Sequence, residues 1–169
     1  MIRPTVSEDT AAILDLAVAA GLFPADATEE LAGVLSASLK GELGPDHVWL
    51  TEDLGTPIGV AYFAPERMTE GTWNLYMIAV HPDHQRGGRG AALVRYVERD
   101  LTARGARILL VETSGLASFE RTRDFYRALG FHEEARIRDF FKAGDDKVVF
   151  RKALKDTTGP ELSEVAPDC

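Results

Sequence analysis

The sequence has one cysteine, Cys169, the last of its 169 residues. A lone thiol excludes an intramolecular disulfide and a cysteine-rich zinc cluster. Set beside Pro167 and Asp168 at the chain end, it also makes a poor nucleophile. No apolar run approaches the roughly 20 residues that span a bilayer. The opening MIRPTVSEDT holds no hydrophobic signal region, so the chain reads as cytoplasmic. Positive charge is scarce as well. Nineteen Lys and Arg face 27 Asp and Glu, a net charge of −8. A dedicated nucleic-acid binder, or a helix lying on an anionic membrane, needs the opposite sign. Any anion this chain holds must be held by a local device working against the global field.

What is present is periodicity. Ser7, a capping hydroxyl followed by Glu8 and Asp9, opens a helix with Ile13, Leu14, Leu16, Ala17 and Ala20 on one stripe and Gly21 as its stop. Thr28 opens a second helix, with Leu31, Val34, Leu35, Ser38 and Leu39 at helical spacing. Strands are predicted over 47–52 and 58–63 as a hairpin, then over 72–80, WNLYMIAV at its heart. A helix over 90–104 carries Leu93, Val97 and Leu101. The stretch 107–113 is apolar in its centre, as a strand covered on both faces should be. A helix over 119–129 and strands over 131–137 and 147–153 complete the order β-α-α-β-β-β-α-β-α-β-β. The fold class is α/β, of the α+β mixed-sheet kind, with one strand–helix–strand crossover over 72–113. Residues 1–154 read as a single domain, and 155–169, polar and acidic, as a mobile C-terminal tail.

The most informative stretch joins the 72–80 strand to the helix after it: His81-Pro82-Asp83-His84-Gln85-Arg86-Gly87-Gly88-Arg89-Gly90-Ala91. Gly87, Gly88 and Gly90 remove Cβ atoms where the backbone must come close to something. The helix that begins here offers free N–H groups and the positive end of its dipole, and Arg86 and Arg89 add charge. In an acidic chain this is a local reversal suited to phosphate. A nucleotide P-loop needs Lys-Ser/Thr after its last glycine, and Ala91 follows Gly90. A dinucleotide fingerprint puts its third glycine where Leu93 stands, which leaves a dinucleotide enzyme as a minor alternative. His81 and His84 shape the loop, and no metal site is expected.

The segment Gln85-Arg86-Gly87-Gly88-Arg89-Gly90 resembles the Q/R-x-x-G-x-G/A acetyl-CoA motif of the GNAT superfamily of N-acetyltransferases. Phe125-Tyr126-Arg127-Ala128-Leu129-Gly130-Phe131 resembles that family's second signature, F-Y-x-x-L-G-F. Gly90 and Tyr126 lie 36 positions apart, in the right element order. The resemblance covers about residues 2–153. It implies a mostly antiparallel sheet of about seven strands with four helices. It also implies transfer of an acetyl group from acetyl-CoA directly to a primary amine of a small molecule or protein, with no acyl-enzyme. The pyrophosphate would sit on the amides of Gln85, Arg86, Gly87, Gly88, Arg89, Gly90 and Ala91. The pantetheine arm would lie along Ile78, Ala79 and Val80. Tyr126 matches the family tyrosine that protonates the leaving thiolate.

The base is not fixed by the resemblance. Glu112 ends an apolar strand where desolvation would raise its pKa toward a useful value. Strand alternation places Asn74 and Tyr76 on the same face as Ile78 and Val80, where they would hold a water near the amine. Candidate acceptor walls are Phe23 in Leu22-Phe23-Pro24, the turn at Glu66-Arg67, and Arg138-Asp139-Phe140-Phe141. A non-catalytic acyl-CoA sensor is the alternative from another class. The apolar C-terminal strands leave a homodimer open.

Overall fold

Side chains that alternate in polarity along extended stretches, and recur every three or four residues in helical ones, put one sheet between two pairs of helices. The computed structural model describes residues 1–154, so the expected tail and Cys169 lie outside the described residues. The strands are β1 (Ile2–Pro4), β2 (Val48–Asp53), β3 (Pro57–Pro65), β4 (Thr72–Val80), β5 (Ile108–Ser114), β6 (His132–Lys142) and β7 (Asp145–Ala153). The helices are α1 (Thr10–Ala19), α2 (Glu29–Leu39), α3 (Arg89–Ala103) and α4 (Glu120–Ala128). The sheet order is β1-β2-β3-β4-β5-β7-β6, antiparallel throughout except for the β4–β5 pair. Expected and observed element order agree, and so do the seven strands and four helices. No helix among the described residues is long and apolar enough to cross a membrane.

Two cores flank the sheet. Under α3 and α4 lie Phe63, Leu75, Leu93, Val97, Leu109, Phe131 and Phe150. Under α1 and α2 lie Ile13, Leu16, Leu35, Trp49, Val60, Tyr62, Met77 and Ala79. Successive β3 residues divide between them, Val60 and Tyr62 on one side and Ala61 and Phe63 on the other, as a two-residue period requires.

β4 breaks that period. Tyr62 pairs with Met77 but Phe63 pairs with Leu75, so Tyr76 is an extra residue, a β-bulge. Trp73 and Leu75 face the α3–α4 core, whereas Met77 and Ala79 face the α1–α2 core. The expected alternation is therefore wrong at this point. Asn74 and Tyr76 share the α1–α2 face with Met77, while Ile78 and Val80 pack on the opposite side.

The parallel β4–β5 ladder is short, from Thr72↔Ile108 to Leu75↔Val111. Beyond Leu75, β4 runs on to Val80 and β5 to Ser114 without pairing to each other. The far end of β5 is held instead by β7, with Ser114 opposite Lys147, and by the buried Arg123 of α4, which donates to the Ser114 carbonyl at 2.6 Å. The bulge on one strand and these anchors on the other keep a wedge open in the middle of the sheet.

The start of α1 also differs from expectation. Ser7 does not cap it; a 3-10 turn, Ser7–Asp9, precedes Thr10, and the Ser7 hydroxyl donates to Glu8. Asp9 is bound by Arg3 at 2.7 and 2.9 Å and accepts from the Val6 amide, which fastens α1 to β1. The guanidinium holds the Asp9 carboxyl below the usual carboxylate range.

Candidate active site

The glycine loop stands at the mouth of the wedge, and two of its three glycines have a structural reason to be glycine. Gly88 has φ +75° and caps α3. A Cβ at Gly90 would lie 3.3 Å from the Phe125 ring, which would have to give by a few tenths of an ångström. A Cβ at Gly87 would meet only the His84 carbonyl, at 4.0 Å. Arg86 holds a left-handed φ of 66° that a non-glycine residue seldom adopts, a sign of local strain. Ala92 is the first residue to close a helical bond, to the Gly88 carbonyl at 2.9 Å. The amides before it open outward from the helix end, and no side chain among the described residues caps them. The loop is tied down behind: Gln85 Nε2 donates to the Val80 carbonyl at 2.9 Å, and His81 Nδ1 accepts from the Asp83 amide at 3.3 Å.

One expected contribution is absent. Arg89 is committed to Glu52, with 2.7 Å between Nη1 and Oε1. Glu52 is buried beside Gly59, and its other oxygen has no partner among the described residues. Of the two loop arginines, Arg86 is the exposed one.

Along the wedge, the ladder geometry decides which main-chain groups are free. His81 donates to Ile58 at 2.8 Å, so by the two-residue period Ala79 turns its main-chain groups toward Val60 of β3. Ile78 and Val80, one residue out of phase, turn theirs toward the gap that β5 has left. The Val80 carbonyl is already taken by Gln85. The Ile78 amide and carbonyl and the Val80 amide remain for an added strand.

Tyr126 lies at the α4 edge of the wedge. Its ring packs edge-on to Phe125 and Phe131, at centroid distances of 5.2 and 5.6 Å, and is 4% exposed. Burial pushes its phenol above the ordinary value. The hydroxyl makes no hydrogen bond among the described residues.

On the α1–α2 face a polar group gathers around the bulge. Tyr76, half exposed, stacks on Tyr62 at 5.5 Å and donates to Glu66 Oε1 at 3.2 Å. Asn74 Nδ2 donates to the same oxygen at 2.9 Å. Burial, with the Glu66 carboxylate beside it, pushes Tyr76 up to about 12, so it stays protonated at neutral pH. Tyr62 hydrogen-bonds His47 Nδ1 at 2.7 Å, which extends the row toward β2. Glu112 is not desolvated as expected. Its side chain is 35% exposed and paired with Lys147 at 2.9 Å, and the Lys147 ammonium stands 4.0 Å over the Phe140 ring. Phe23 packs against the α1–α2 core. The sequence marked Glu66 only as part of a turn. Nothing in the sequence gives Glu52, Lys147 or His47 a part in the site, because each acts through a partner distant in the chain.

A strand pair held apart, unpaired main-chain groups along one edge and a glycine loop at the mouth define a class: an α/β protein shaped to take a long phosphorylated ligand as an added strand. The chain belongs to the GNAT acetyltransferase family, whose acetyltransferase (GNAT) domain matches residues 44–133. It is similar to a protein assigned to that family from Desulfovibrio desulfuricans. The two are 30% identical with a TM-score of 0.86, over 92% of this chain and 99% of that one. It is also similar to the ribosomal protein bS18-alanine N-acetyltransferase of Escherichia coli K12, 33% identical over 88 residues. That match spans 52% of this chain and 58% of the curated relative's length. A Salmonella typhimurium structure that holds acetyl-CoA shares the fold, with a TM-score of 0.74 at 22% identity over 96% and 98% of the two chains.

Proposed function

We propose that this protein is an acetyl-CoA-dependent N-acetyltransferase acting on an amine in the cytoplasm, as one domain over residues 1–154. The observation that carries the reading is the wedge itself, with its glycine loop and its unpaired Ile78 and Val80 groups. These residues fit acetyl-CoA: outward amides from Gly87 to Ala91 suit a pyrophosphate, and the free strand edge suits the amide-bearing pantetheine arm. Ala79 lines the same strand but is turned to β3. A structural neighbour that holds acetyl-CoA supports the same ligand.

Acetyl-CoA supplies an activated acetyl group, whose carbonyl carbon bonds to the amine nitrogen as the carbon–sulfur bond breaks. The residues of the chain manage charge and protons around that exchange. The main-chain N–H groups on the gap side of β4 polarise the carbonyl. Tyr126 gives its proton to the departing sulfur, which suits a buried phenol that stays protonated. Glu112 receives the proton of the amine through water, with Lys147 keeping its carboxylate in place. The Tyr76 hydroxyl oxygen, its hydrogen committed to Glu66, accepts from that water.

Titration calorimetry with acetyl-CoA and with CoA is the first test, and no binding at millimolar ligand would overturn the reading. Thiol release is then followed over amino acids, polyamines, aminoglycosides and peptide N-termini. Tight CoA binding without acetyl transfer to any of them would favour the sensor alternative. Tyr126→Phe should lower kcat by about 10²-fold or more with CoA affinity kept; unchanged turnover removes the acid assignment.

A further inference from the structure

Glu66 has no part in the acetyl exchange, yet the bulge aims two side chains at it. Asn74 and Tyr76 both donate to Oε1, and Oε2 makes no hydrogen bond among the described residues. Asn74 is 2% exposed, and its own Oδ1 has no partner. The orientation of that amide is fixed, because turning it over would set two oxygens against each other. A buried amide oxygen without a donor is costly and calls for an occupant. The group that satisfies a carboxylate oxygen and an amide oxygen together is one with several N–H donors, no acceptor and a positive charge. An ammonium has those properties. The Tyr76 ring, half in solvent and stacked on Tyr62, adds a π face for the same cation. Glu112 lies on the other side of Tyr76, one residue past the last β4–β5 pair. Two carboxylates thus flank one aromatic ring, in a chain of net charge −8.

We propose that Glu66 and Asn74 form a docking subsite for a second positive charge on the acceptor, so that the acceptor is a small diamine. Its reacting nitrogen lies toward Glu112 and its other ammonium on Glu66. This rests on the acetyl-transfer reading above. The distal ammonium donates to Glu66 Oε2 and Asn74 Oδ1 and covers the Tyr76 ring. A monoamine of the same chain length leaves those oxygens unpaired.

Calorimetry on the protein saturated with CoA tests this directly, with 1,3-diaminopropane, 1,4-diaminobutane and 1,5-diaminopentane each compared with the monoamine of equal carbon number. At least one diamine is expected to bind about tenfold more tightly than its monoamine. In Glu66→Gln that advantage should fall below about twofold. The CoA affinity of the variant, measured alongside, reports whether the fold is intact. Equal binding of every pair, no binding of any amine, or an advantage that survives Glu66→Gln would each overturn the proposal. The failures separate cleanly. A protein that does not bind CoA removes the acetyl-transfer reading too, whereas acetyl transfer to both members of each pair at equal kcat/KM leaves that reading standing and removes only the diamine.

Discussion

On the α3–α4 side of the sheet, Phe63, Phe131 and Phe150 are shut away with Leu93, Val97 and Leu109 in one apolar core. On the α1–α2 side, Ile13 and Leu35 are equally buried, but beside them Tyr76 stands half in solvent with Glu66, Asn74, Glu112 and Lys147 around it. Both faces come from the same strands. The difference teaches where each kind of work is done: the first face supplies rigidity to hold the wedge open, and the second keeps polar groups that the fold does not need. A single extra residue, Tyr76, moves the boundary between them along β4.

Truncating each face in turn separates scaffold from site. Phe63→Ala should cost about 3–5 kcal/mol in urea unfolding. Tyr76→Phe, a few residues away on the partner strand, should cost less than about 1 kcal/mol while changing acceptor kinetics. Similar costs for the two would mean that the polar face is part of the scaffold.

The buried Glu52–Arg89 pair bridges β2 and the glycine loop, and Glu52→Gln sharpens the contrast between holding and binding. Stability should fall by about 1–2 kcal/mol, because a charge-assisted bond is lost but Arg89 can reach solvent. The affinity for CoA should rise, because Arg89 is then released toward the phosphates. Loss of affinity on calorimetry would show instead that the pair positions the loop.

The smallest effect belongs to the fastening of α1. Because Arg3 lowers the Asp9 carboxyl in the folded state, its contribution is complete above the unfolded value of about 3.9 and is lost as pH falls below it. The unfolding free energy between pH 7 and 3 should therefore fall more steeply in the wild type than in Asp9→Asn, by about 1 kcal/mol. Parallel profiles would remove Asp9 as the link.

The glycine loop was legible in the sequence because its parts are consecutive: a strand end, three glycines, two arginines and a helix start. The second signature was legible for the same reason. The bulge was not, because WNLYMIAV is apolar nearly throughout and a change of face leaves no mark in such a run. That hid the true neighbours of Asn74 and Tyr76. Glu112 read as a desolvated carboxylate because Lys147 reaches it only through the β5–β7 pairing. Arg89 read as a phosphate ligand because Glu52 lies 37 residues upstream. Loops and periodicities are written locally, whereas ion pairs between strands are not.

Amide hydrogen exchange along β4, with and without CoA, tests the wedge most directly. Ala79, bonded to β3, should be protected in both states, and Ile78 and Val80 should gain protection only when CoA is bound. Equal protection of all three without ligand, or no gain at Ile78 and Val80 on saturation, would contradict the open wedge.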